Sequence, residues 1–412
     1  MNVLSGFRPI AAVLRNRNYG FYTAGNLISL TGTWMQRIVT GWLMWDLTQS
    51  GFWLGLVAFS DLFPTVILGP FAGAVADRTD RLRVTRFTQF LSMLQAIALF
   101  GLTATDRITP ALLITLTTFL GVVAAFNQPA RLALIPALVP RADISTAVAV
   151  NAIVFNLARF LGPAAAGILI STGGISIAYA VNALSFVAFL LVLAQIRLSA
   201  EEEVKPAGKR FLRDLADGIR YTVTHQGIAT VLILLIASNV GSRPLLELLP
   251  GFAAEIFRSG ASGLAMLTSA VGGGAILSGI WLGGRSGVPG LSRILMWSTA
   301  FVALTSALFT ATDRLAVAVP LLVVTGFAMA TSGVAAQTLI QVSVDASMRG
   351  RVLGIYGLLF RGGPALGALL MGAASEHFGL RLPILAGSVG VVLVWAWATA
   401  RRRAALRSLD KS

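Results

Sequence analysis

The sequence predicts an all-α integral membrane protein whose twelve transmembrane helices form two pseudo-symmetric halves of six. Three observations predict it. Of the 412 residues, 56% are hydrophobic and only 12% charged, with a mean hydropathy of +0.79. A soluble domain carries roughly 25% charged residues, so this chain lacks the polar surface that water requires. Apolar runs of about 20 residues, enough to cross a bilayer, recur along the chain, and basic residues gather on alternate loops. These features exclude a cytosolic enzyme and a soluble nucleic-acid binder, despite a net charge of +15. Cysteine is absent, which excludes disulfides and thiolate metal sites.

The runs lie near 19–45, 52–76, 84–104, 108–128, 145–171 and 174–196, then 228–253, 261–283, 290–310, 314–337, 351–373 and 380–400. They are too long and too unalternating for barrel staves. Arg8, Arg15 and Arg17 interrupt any apolar core in the first eighteen residues, so these do not read as a signal peptide. Trp42, Trp45 and Trp53 flank the first outer loop as interfacial anchors. With the N-terminus placed inside, 24 of the 32 Lys and Arg residues fall on inner segments and 4 on outer loops. The positive-inside rule then puts both termini in the cytoplasm.

The longest polar stretch separates spans six and seven. It divides the chain into an N-terminal half (1–197), a linker (198–227), a C-terminal half (228–400) and a basic cytoplasmic tail (401–412). In the linker, Phe211, Leu215 and Ile219 share one helical face with Arg213, Asp214 and Arg220 off it, the pattern of a membrane-surface helix. The halves repeat each other. Thr103–Arg107 recurs as Thr310–Arg314 at an offset of 207, and Gly73 has a counterpart in Gly279 at 206. Arg159 with Gly162-Pro163 is echoed by Arg361 with Gly363-Pro364, at 202 and 201. A parallel six-plus-six repeat of this kind places its binding site at the repeat interface near the bilayer midplane.

The stretch Gly73-Ala-Val-Ala-Asp77-Arg78-Thr-Asp80-Arg81 resembles the loop signature of the major facilitator superfamily, with Asp80 in place of its second glycine and Leu82 in place of its last basic residue. Gly162-Pro163 with Gly167 is similar to the motif of antiporter-type members. Pro129-Ala-Arg131, Asn182-Ala-Leu-Ser-Phe186 and Arg349-Gly-Arg351 are similar to the branch of enterobactin-exporter-like proteins and drug:proton antiporters. That resemblance implies a proton-driven exporter of the bacterial inner membrane. Its gate would be Gly73, Asp77, Arg78 and Arg81. Asp77 would face the positive N-terminal end of span eleven, the arginines would pair nearby acids, and Gly73 would let another helix approach closely.

Ionisable groups at bilayer depth are functional hypotheses by default. Arg37 and Asp61 stand twelve residues either side of Gln49, hence at equal depth on adjacent spans. They read either as a structural bridge or as a proton-coupling pair. Glu247 follows Arg243 at i,i+4 across Pro244, with Asn239 and Gly241 just before, the pattern of an interrupted helix; Glu247 is a second coupling candidate or hydrates near the interface. Arg159 and Arg361 are mid-depth candidates for the cavity, together with Arg243, Asn239, Asn156, Asn127, Gln36 and Tyr356. Gly162, Pro163, Gly363 and Pro364 read as packing positions, as does Gly272-Gly273-Gly274. Four arginines against two acids leave the spans a surplus of +2, which favours an anionic substrate over a lipophilic cation.

No phosphate-binding Gly-Lys-Ser/Thr loop occurs, since Gly208-Lys209 precedes Arg210, so ATP is not the direct energy source. His225 and His377 lack partners at metal-ligand spacing, so neither metal nor cofactor is expected. The expected function is a monomeric secondary active transporter using protons, a small-molecule substrate such as a siderophore or drug, and the lipid bilayer, with no nucleic acid and no catalysis. The alternatives are a lipid flippase of the same fold and a membrane-embedded enzyme, which would need more clustered acids than the spans hold.

Overall fold

The computed structural model describes residues 3–76, 79–196, 211–285, 287 and 289–410, and no strand occurs among them. The helices are α1 (Val3–Arg15), α2 (Arg17–Thr48), α3 (Gly51–Ala76), α4 (Arg81–Ala104), α5 (Pro110–Leu134), α6 (Ile144–Gly173) and α7 (Ile175–Gln195). They continue with α8 (Phe211–Thr224), α9 (Gln226–Gly241), α10 (Leu245–Gly251), α11 (Gly260–Gly283) and α12 (Leu291–Thr310). The last are α13 (Leu315–Ser343), α14 (Arg349–Phe378), α15 (Arg381–Arg401) and α16 (Arg403–Ser408). Among the described residues, 11 helical stretches are long and apolar enough to cross a membrane. The remaining expected span is α2, whose 32 residues suffice in length but include Asn26, Gln36 and Arg37. The chain is a multi-pass membrane protein.

Local sequence sets the helix ends. Asp80 caps α4, its Oδ1 accepting from the amides of Leu82 (2.9 Å) and Arg83 (3.2 Å), which gives a use to the residue that departs from the superfamily signature. Thr109 caps α5 with Pro110 at the first helical position. The tight turns from α6 to α7 and from α14 to α15 both need a left-handed residue, supplied by Gly174 (φ 85°) and Gly379 (φ 72°). These are 205 positions apart. The repeat therefore extends to backbone conformation.

The chain packs as two units. One comprises Met1–Leu43 with Pro64–Ala207, the other Met44–Phe63 with Gly208–Ser412. The end of α2 and the start of α3 thus pack with the C-terminal helices. In the second unit Gly274 of α11 abuts Val323 and Phe327 of α13, while Gly326 of α13 abuts Val271. A Cβ at either glycine would run into backbone, as expected where small residues let spans approach.

The amphipathic helix of the linker packs against the chain. α8 docks on the start of α14: Tyr221 donates to Asp345 Oδ2 (3.0 Å) and Asp217 pairs with Arg351 (3.6 Å). A Cβ on Gly218 would stand 3.1 Å from both Arg351 and Ile355. Leu215 meets the core, but Ile219 is 49% exposed. The tyrosine anchor and close glycine contact rotate the docked face towards Leu215, Gly218 and Tyr221. Burial first, then the adjacent Asp345 carboxylate, hold the Tyr221 phenol above its ordinary pKa. The C-terminal segment also packs. Leu406 and Leu409 are buried, and Asp410 caps α12 by accepting from the amide and hydroxyl of Ser292 (2.9 and 2.6 Å).

Candidate functional site

In the first unit, α2 supplies the centre of a buried polar network. Gln36 donates to Gln95 Oε1 (2.9 Å) and accepts from Asn182 (2.7 Å), whose Oδ1 accepts from Ser185 (3.0 Å). Gln36 thereby bridges α4 and α7 to α2. Asn127 likewise donates to Thr88 (2.7 Å) and accepts from Arg131 (3.4 Å), whose guanidinium stacks on Phe189 at 5.1 Å. Asn156 turns back to its own helix, donating to the Ala152 carbonyl (2.8 Å). Such satisfied amides fix helix register.

Trp34, one turn before Arg37, was not among the expected site residues. Its ring lies 5.7 Å from the Arg37 guanidinium and 5.5 Å from that of Arg159. Gly162 makes this possible. A Cβ there would stand 2.5 Å from Trp34 Cβ and 2.9 Å from the Met35 amide. Pro163 beside it is buried.

The second unit holds the interrupted helix that the sequence predicts. α9 ends at Gly241 and α10 begins at Leu245. The amides of Ser242 and Arg243 both donate to the Ser238 carbonyl (3.1 and 3.0 Å), and Pro244 has no N–H to offer. Ser242 Oγ is buried with no hydrogen-bond partner among the described residues. Arg243 projects from the break, donates to Asn239 Oδ1 (3.3 Å) and stacks on Phe360 at 4.5 Å. Phe360 in turn stacks on Tyr356 at 5.6 Å, and the tyrosine donates to the Gly333 carbonyl (3.0 Å). Asn239 donates to the Leu359 carbonyl (3.3 Å). Gly363 sits against Asn239, where a Cβ would come within 2.8 Å, and Pro364 is buried beside it. Glu247 is half-buried on α10, and Arg361 is exposed. Arg361 has no hydrogen bond or ion pair among the described residues.

Arg37 belongs to the first unit and Asp61, half-buried on α3, to the second. The start of α3, which also carries Asp61, makes close glycine crossings with α14. Gly51 faces Ser375, Gly55 faces the Ala368 carbonyl, and Gly372 faces the Gly51 carbonyl. Glu376 completes the contact, its Oε1 accepting from Ser50 Oγ (2.7 Å) and the Phe52 amide (3.1 Å). Sequence reasoning missed Glu376. The available signal was an acid in the last turn of a helix, where its own dipole disfavours it.

Of the expected gate, Asp77 and Arg78 lie outside the described residues. Arg81 donates to the Ala133 carbonyl (3.2 Å). Among the described residues, nothing lies within 4 Å of a Cβ built on Gly73.

A family model described as transmembrane secretion effector matches residues 9–412, nearly the entire chain. The chain belongs to this major facilitator family. Among curated relatives of this facilitator, the staphyloferrin A transporter of Staphylococcus aureus is 25% identical over 61% of the chain and 64% of its own length. The multidrug efflux pump Tap of Mycolicibacterium fortuitum is 25% identical over 90% of the chain and 91% of its own. The enterobactin exporter EntS of Escherichia coli is 26% identical over 68% of both chains. The facilitator's fold matches a bacterial homologue of the lysosomal transporter Spinster, with a TM-score of 0.68, 15% identity and 98% of both chains covered. It also matches the nucleoside transporter NupG, at 0.70, 14% identity, 93% of this chain and 98% of that one.

Proposed function

We propose that this facilitator is a proton-driven exporter of an anionic small molecule, working as a monomer by alternating access in the bacterial inner membrane with both termini cytoplasmic. The observation that carries the reading is the charge inside the spans: Arg37, Arg159, Arg243 and Arg361 against Asp61 and Glu247. A surplus of cations at bilayer depth is costly unless neutralised, and an anionic substrate neutralises it during the cycle. The names of the relatives, a siderophore transporter, an efflux pump and a siderophore exporter, support outward movement of small molecules. Asp61 is the first candidate for the coupling proton, with Glu247 as the second. Arg37 is the third coupling candidate in this reading. Asp77, Arg78, Arg81 and Gly73 form the cytoplasmic latch in this reading.

The test is flux in sealed proteoliposomes with and without a pH gradient. The wild type should move an organic anion against its gradient when protons flow the other way. Asp61→Asn should abolish gradient-driven flux while leaving exchange between equally buffered compartments. Equal loss of both activities assigns the acid a structural task, and flux indifferent to the pH gradient refutes proton coupling. Asp77→Asn should slow both modes without lowering the amount of folded protein.

A further inference from the structure

A cavity of about 580 Å³ opens where the start of α2 meets the end of α7, and the transport reading makes no use of it. Arg17, Asn18 and Phe21 of α2 line it with Val192, Gln195 and Ile196 of α7. All of these belong to the first unit. Beyond the cavity the two helices run antiparallel in close contact. A Cβ on Gly25 would stand 2.8 Å from Phe189 and 3.2 Å from Val192, and one on Gly32 would strike Asn182 and Ser185.

The mouth of the cavity is positive. Arg17 lies 5.9 Å from the Phe21 ring, and among the described residues it makes no hydrogen bond or ion pair. No carboxylate lines the cavity. The last carbonyls of α7, which would repel an anion, are covered by Arg86, whose guanidinium donates to Leu193 (2.6 and 3.1 Å) and Ile196 (3.3 Å). Away from the mouth the surface turns apolar. Arg17, Phe21, Ala24 and Ile28 share one face of α2, all exposed. Gln195, Leu191 and Leu184 share one face of α7, also exposed, in the opposite chain direction. Each stripe runs eleven residues from first member to last, about 16 Å at 1.5 Å per residue. That is half of the roughly 30 Å hydrocarbon core, the depth of one leaflet. Only the member at the cavity is polar in either stripe.

We propose that this groove binds one anionic phospholipid, with its phosphate on Arg17 and an acyl chain laid between the two stripes. A guanidinium fork matches phosphate oxygens, and a basic pocket between spans at the membrane edge suits a headgroup. A free phosphate would use the mouth alone. The apolar track, one leaflet deep and continuous with the cation, is what selects a lipid. The cavity lacks an acid to receive the ammonium of a zwitterionic head, so a net negative head is preferred. Bound there, the lipid staples α2 to α7 at the end of the first unit.

Melting of the purified full chain in detergent tests it, with short-chain phosphatidylglycerol, phosphatidylcholine of the same chains and glycerol phosphate as the three probes. Phosphatidylglycerol should raise the melting temperature saturably, at a concentration about tenfold below that needed with phosphatidylcholine, the scale of one charge-assisted bond. Glycerol phosphate, a head without chains, should do nothing in that range. Arg17→Gln should erase the difference between the lipids, and Arg17→Lys, which keeps the charge but loses the fork, should retain part of it. Arg83→Gln removes an exposed arginine outside the cavity lining and should keep the full preference. Ala24→Phe leaves every charge in place but fills the track, and should weaken both lipids. If Arg17→Gln fails to fold, the lysine and phenylalanine variants decide. Equal stabilisation by both lipids, an Arg17→Gln variant that still prefers phosphatidylglycerol, or an Ala24→Phe variant that binds as the wild type does would overturn the proposal. Glycerol phosphate as effective as phosphatidylglycerol would also overturn it and assign the cavity to a free phosphate.

Discussion

Single residues carry the charges of this protein to places that their own helices do not explain. Glu376 stands at the C-terminal end of α14, where the dipole is unfavourable, and is held by the Ser50 hydroxyl just before α3 and the Phe52 amide in its first turn. Glu376→Gln should remove the charge from that cap and cost about 1 kcal/mol locally. Hydrogen exchange at the Phe52 and Trp53 amides should then quicken by roughly fivefold, and unchanged protection would show that the carboxylate is no cap. The sequence displays which ionisable residues lie within apolar runs, so Arg37, Asp61, Arg159, Arg243, Glu247 and Arg361 were legible. Their partners were not. Trp34 looks like any apolar span residue until Gly162 brings α6 against it.

At the level of helices, glycine has two different meanings here. Gly274 and Gly326 sit against backbone of the opposing helix, so Gly274→Val should force α11 and α13 apart and destabilise the chain by about 1–3 kcal/mol. Gly73 has open space around it, so Gly73→Ala should be neutral or stabilising by about 0.5–1 kcal/mol, since alanine is the better helix former. Melting temperatures of the two detergent-solubilised variants check this, and a loss at Gly73 as large as at Gly274 would contradict the difference. Apolar runs and Gly-Pro steps reveal that helices exist and roughly where they end. They do not reveal which glycine is in contact, because contact depends on the neighbour's rotation. The same reason explains α8, whose apolar residues mark a face but whose docking is turned by Tyr221 and Gly218.

For the molecule as a whole, the repeat was legible because it is written in turns and packing steps as well as in sequence: Gly174 and Gly379 take the same left-handed role. The 24-to-4 partition of basic residues predicts opposite sides for the Thr172–Gly174 turn and the C-terminus. Single cysteines at Ser171 and Ser412 should therefore react with an impermeant thiol reagent from opposite faces of intact cells. Reaction of both from the same face would overturn this topology. The division of packing at Leu43/Met44 and Phe63/Pro64 was not legible, since hydropathy records burial in lipid or protein without recording which protein surface does the burying.

That division makes α3 a shaft with one end clamped in each unit. A proline within a helix leaves one carbonyl without its amide partner and locally softens the helix. Pro64 stands at the changeover from one unit to the other and has no N–H to return to the Ser60 carbonyl, so the softest joint coincides with the boundary. Three residues away is Asp61, the candidate proton carrier, so protonation would act on the shaft beside its own coupling. Pro64→Ala would stiffen that joint: turnover should fall while substrate affinity holds, and unchanged turnover would mean that the twist is taken up elsewhere.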